Sequence, residues 1–170
     1  DVLAKINSLN YWSGGGTIIS EGLAWGWRTM SPNAPFGNGA PYGQAKKYLV
    51  LMTDGVNSLV ENRPNSDAAL LSDYSAYGYL TSWRMSSSPF TFANAEAYLD
   101  ARMTAVCENA KKKGVSVFTI LFRETNSSIA NLLRNCASSP SQALKASDAA
   151  GLEAAFANIA GQVNVVRLSR

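Results

Sequence analysis

Lys46-Lys47-Tyr48-Leu49-Val50-Leu51-Met52-Thr53-Asp54-Gly55 is the stretch that decides the fold. From Tyr48 to Thr53 every residue is apolar or β-favouring, with no alternation. A run of this kind predicts a strand buried on both faces, as in parallel sheets covered by helices. It stops on Asp54-Gly55, an acidic side chain and a turn residue at the strand's carboxyl end. Ligands of open α/β sheets bind at that edge, which makes Asp54 the first candidate for a chemical site. The same dipeptide is also the ordinary beginning of a turn.

Working outward, Val115 to Phe122 (VSVFTILF) predicts a second strand and residues 142–146 a weaker third. Between the first two strands, residues 93–113 read as a helix with Leu99, Met103, Val106 and Ala110 on one face and Gly114 as its stop. Ser127 or Ser128 opens a short helix through Ile129, Leu132, Leu133 and Cys136. A last helix, capped by Ser147, spaces Leu152, Phe156, Ile159 and Val163 regularly. Upstream, Val2, Leu3, Ile6 and Leu9 share a helical face, and the sequence opens at Asp1 already in that pattern, as a piece of something longer would. Ile19, Leu23, Trp27 and Met30 form the apolar stripe of another helix, before which Thr17 is placed to act as cap. Gly22 and Gly26 on that helix are expected to let a neighbour approach closely, and the tryptophans to serve packing. The order of helices and strands is half of a doubly wound α/β sheet. Three parallel strands leave one flank without neighbours, to be covered by a partner or by a missing half of the domain.

The chain of 170 residues suits one domain with a real core. Its net charge of +3 is small and scattered apart from Lys111-Lys112-Lys113 at an expected helix end, so no nucleic-acid footprint appears. The absence of histidine removes the commonest general base and the commonest zinc ligand. Cys107 and Cys136 are two buried thiols or one disulfide; composition leaves both open. No stretch approaches the roughly 20 apolar residues of a membrane span, and no signal-peptide pattern opens the sequence.

Two loops concern function. Ser13-Gly14-Gly15-Gly16-Thr17 brings backbone close to whatever lies over it, but lacks the lysine and spacing of a phosphate-binding loop. Residues 56–89 form an insertion rich in Ser, Tyr, Asn and Asp that leaves directly from the ligand edge. Strand-to-helix loops usually run about 2–6 residues, so this one carries either its own packing or a function. Its aromatics among small polar residues, Tyr77 and Trp83 above all, resemble a recognition surface in composition. The segment is expected to lie over the ligand edge near Thr17 and Asp54.

A Gly-Gly-Thr loop entering a helix, followed by an apolar strand ending in Thr-Asp-Gly, resembles the von Willebrand factor A domain. The resemblance implies a metal-ion-dependent adhesion site holding Mg²⁺ or a similar divalent cation, with Thr17 as its threonine and Asp54 as its last aspartate. Hard cations take such oxygen ligands. No Asp-x-Ser-x-Ser, the family's main ligand motif, occurs in these residues. Residues 1–170 are therefore expected to be a single domain lacking its N-terminal strands, binding the cation weakly or not at all.

Further blocks cover nearly the whole chain: Gly15-Gly16-Thr17 with Gly22-Leu23-Ala24-Trp25-Gly26-Trp27-Arg28, Met52-Thr53-Asp54-Gly55-Val56-Asn57, Val117-Phe118-Thr119-Ile120 and Cys136-Ala137-Ser138. In order and spacing they resemble the TadG-like proteins of bacterial tight-adherence (Tad) pilus assembly. That likeness implies an extracytoplasmic domain in the periplasm or cell envelope, tethered upstream to the inner membrane. It implies an assembly or adhesion role with protein partners, no small-molecule substrate and no catalysis. In such an oxidising compartment Cys107 and Cys136 are expected to pair. Successive right-handed crossovers stepping one way along a sheet also put their two helices side by side. Two alternatives remain at this point. One is a doubly wound hydrolase or phosphoryl-transfer enzyme using Asp54, for which no phosphate loop or nucleophile elbow is present. The other is a structural domain with no metal site.

Overall fold

The computed structural model describes residues 1–10, 16–59, 72, 74–82, 84–85 and 91–168, with side chains through 164. Helices α1 (Val2–Asn7), α2 (Ile19–Thr29), α3 (Phe92–Lys112), α4 (Ser127–Cys136) and α5 (Ala149–Leu168) surround strands β1 (Lys47–Thr53), β2 (Val115–Phe122) and β3 (Ala143–Ala146). The strands form one parallel sheet in the order β1-β2-β3, with Lys47 opposite Val115 and Thr53 opposite Leu121. The chain is thus a mixed α/β fold around a three-stranded parallel sheet flanked by helices.

Both crossovers, through α3 and then α4, step the same way along the sheet. A right-handed connection puts each helix on the same face. There Leu49, Leu51, Val117 and Leu121 pack with Ile19 and Leu23 of α2, Met103 and Ala110 of α3, and Ile129 and Leu133 of α4. Cys107 of α3 and Cys136 of α4 are joined by a disulfide within this core, their Cα atoms 5.1 Å apart. Thr119, fully buried, donates its hydroxyl to the Leu133 carbonyl at 3.1 Å and ties β2 to α4. On the opposite face Phe118 and Ile120 meet Ala155 and Ile159 of α5.

The first strand departs from the expectation of burial on both faces. Leu49, Leu51 and Thr53 are buried, whereas Val50 and Met52 are 39% and 44% exposed. β1 is the edge of the sheet, and α5 packs on β3 and β2. Val50 and Met52 therefore lack a second cover, whereas Tyr48 on the same face packs against the α5 cluster beside Phe118. At the start of the strand the Lys47 ammonium donates to the Met30 carbonyl, the C-cap of α2, at 2.6 Å, a favourable place for a cation.

Helix ends correct two further expectations. Thr17 does not cap α2; the N–H of Ile19 is accepted by Asn57 Oδ1 at 2.8 Å, from a loop 38 residues away. The last helix is capped by Asp148, not Ser147, since Asp148 Oδ1 accepts from the Gly151 N–H at 2.8 Å. Only Gly26 meets the expectation of close approach: a Cβ there would come within 2.9 Å of Leu49 Cδ1, whereas one on Gly22 would meet nothing. The face of α1 bearing Val2, Leu3 and Ile6 is exposed rather than packed.

Candidate functional site

The carboxyl edge of the sheet is built by three short runs, one after each strand. Each carries an acidic residue close behind the strand: Asp54 after β1, Glu124 after β2 and Asp148 after β3. Their surroundings separate them. Glu124 Oε1 accepts from the N–H groups of Thr125 and Asn126, both at 2.7 Å, and so serves its own loop. Asp148 serves the first turn of α5. Among the described residues Asp54 has neither a hydrogen bond nor an ion pair, and it is exposed. A carboxylate left free at a strand's carboxyl end is available to an outside ligand.

The turn beneath it is well held. Thr53 Oγ1, in a buried residue, donates to the Gly55 carbonyl at 3.0 Å and accepts from the Gly55 N–H at 3.3 Å. Asn57, 2% exposed, is the hub of the loop: its carbonyl oxygen caps α2 and its amide nitrogen donates to Asp100 Oδ1 of α3 at 2.7 Å. One residue later Ser58 and Thr17 exchange backbone hydrogen bonds at 2.9 and 2.8 Å. Thr17 is therefore pinned to the loop that Asp54 opens, four residues beyond that carboxylate, and its side chain is exposed. The two sequence-predicted metal ligands are thus linked through Ser58 of the loop after β1.

The donor chemistry of that edge suits a hard cation: one carboxylate and one hydroxyl. The number does not fill a coordination shell, and among the described residues no group of three or more His, Cys, Asp or Glu is clustered to hold a metal. The two residues together supply a single negative charge.

Of the two recognition aromatics, Trp83 lies outside the described residues. Tyr77 is half-buried and donates its hydroxyl to Glu21 Oε1 of α2 at 2.7 Å, with its ring edge-on to Tyr98 at 6.1 Å. Burial, and then the Glu21 carboxylate, push its phenol above the ordinary value of 10.0, against the pull of Arg102. Leu59, Leu80 and Met85 of the same insertion pack on Ala95 and Leu99 of α3. The described parts of residues 56–89 thus lie along the start of α2 and the first half of α3.

Sequence reasoning missed Asn57 as the organiser of the edge. Asparagine two residues beyond an Asp-Gly turn reads as more turn, and its partners Ile19 and Asp100 are distant in sequence. No helix among the described residues is long and apolar enough to cross a membrane. No protein-family model matches the chain, and neither a curated protein nor a solved structure matches it.

Proposed function

We propose that the chain is a non-catalytic protein-binding module of the von Willebrand factor A type, a doubly wound fold whose ligand edge uses a divalent cation. The observation that carries this reading is the contrast among the three edge carboxylates. Glu124 and Asp148 are consumed by backbone amides, and Asp54 is left free beside a loop that also anchors Thr17. The likeness of its sequence blocks to the TadG-like proteins supports a place in a Tad pilus assembly apparatus, outside the cytoplasm. A disulfide inside the main core agrees with an oxidising compartment.

Mg²⁺ prefers near-octahedral oxygen coordination and gives up water reluctantly, so two protein oxygens hold it weakly. Calorimetry with Mg²⁺ and Mn²⁺ tests the reading. Residues 1–170 are expected to give weak or no binding, and the chain extended upstream by an Asp-x-Ser-x-Ser strand clear binding that Asp54→Ala removes. Tight binding by residues 1–170, or affinity that survives Asp54→Ala in the extended chain, would show that the ligands lie elsewhere.

A further inference from the structure

Away from the sheet edge, the outer side of α2 and α3 encloses a second, deeper feature. A cavity of about 400 Å³ lies between the two helices, closed by Tyr77 of the insertion and by Tyr42 and residues 31–34 of the loop after α2. That volume falls within the range of about 300–1,000 Å³ usual for small-molecule sites. Its walls include the rings of Trp27, Tyr42 and Tyr77 and the side chain of Val106. Its charged lining is Arg28, Arg102 and Lys113 against Glu21, a net of two positive charges.

Glu21 is already engaged by the Tyr77 hydroxyl at 2.7 Å, and its contact with Arg28 is a long 4.0 Å. The cations are therefore not neutralised from within. Arg102 and Lys113 stand 11 residues apart along α3 and its C-cap, about 16 Å at the helical rise.

We propose that this cavity is a binding site for a small organic carboxylate with an aromatic or branched apolar body. The carboxylate faces the cationic lining, and the body lies against the aromatic walls. The site is separate from the Asp54 edge and does not depend on how that edge is read.

The test is a panel of small aromatic and branched-chain carboxylates near neutral pH, each paired with its neutral primary amide, followed by ¹⁵N-resolved NMR titration of the whole chain. At least one carboxylate is expected to move the Trp27 indole N–H resonance in a saturable way, with its amide at least tenfold weaker. Arg102→Gln combined with Lys113→Gln should weaken that binding at least tenfold while leaving the spectrum of the free protein folded. A Trp27 resonance unmoved by every carboxylate overturns the proposal. So does equal binding of acids and amides, or affinity indifferent to removal of both cations.

Discussion

The two faces of β1 are made of equally apolar residues and have opposite fates. Leu49 and Leu51 lie under α2 and α3 in the disulfide-linked core, whereas Val50 and Met52 are exposed because α5 packs mainly on β3 and β2 and reaches β1 no further than Tyr48. Strand composition therefore records what a strand can bury; which helix crosses over it decides what it does bury. The same asymmetry positions both candidate sites. The covered face supplies the rigid frame, and its α2 and α3 hold both the Asn57 hub of the ligand edge and the walls of the cavity.

The largest effect should come from cutting the frame's covalent link. Changing Cys107 and Cys136 together to Ser opens a cross-link spanning 29 residues. It should destabilise the fold by roughly 3–4 kcal/mol in the chain-entropy model, read as a lower denaturant midpoint. No change on that substitution would mean that packing alone sets the covered face.

The comparison itself is broken most sharply by neighbouring residues. Leu51→Ala removes a side chain from the core and should cost about 2–4 kcal/mol, whereas Met52→Ala, one residue on and 44% exposed, should cost less than about 1 kcal/mol. Equal costs would mean that the second face is covered in solution.

Asn57→Ala should cost about 1–2 kcal/mol, since it uncaps α2 and strands Asp100 at once. Hydrogen exchange should then quicken first in the opening turn of α2, and protection unchanged there would remove Asn57 from its role as hub.

The smallest effect is at the margin of the cavity. Tyr77 holds its proton more tightly in the folded chain than in the unfolded one. The stability this contributes is complete below about pH 10 and is lost as pH rises through the folded value. Denaturant midpoints measured from about pH 9 to about pH 11 should fall less steeply in Tyr77→Phe than in the parent chain.

Local chemistry was legible in the sequence and long-range pairing was not. The second strand runs from Val115 to Phe122 as its apolar run predicts, and Gly114 ends the preceding helix in the left-handed region at φ 77°. Cys107 and Cys136 meet because crossover handedness is a general rule rather than a detail of this chain. By contrast, the cap on α2 comes from Asn57, and no reading of residues near Ile19 could supply it. The exposure of Val50 and Met52 depends on where α5 lies, which the run Tyr48 to Thr53 does not encode. The cavity needed three distant segments to be brought together before Arg28, Arg102 and Lys113 could share one lining. At the site, Thr17 and Asp54 could be named from sequence, but the reason Asp54 is singled out could not: Glu124 and Asp148 spend their carboxylates on backbone amides.

The central claim is that Asp54 and Thr17 share one cation-receptive edge, and paramagnetic relaxation by Mn²⁺ tests it even where affinity is low. Millimolar-range Mn²⁺ added to the ¹⁵N-labelled chain should broaden the amides of Asp54, Gly55, Thr17 and Ser58 before any others, and Asp54→Asn should abolish that pattern. Broadening centred on Glu124 or Asp148, or a pattern around Asp54 that persists in Asp54→Asn, would contradict the account.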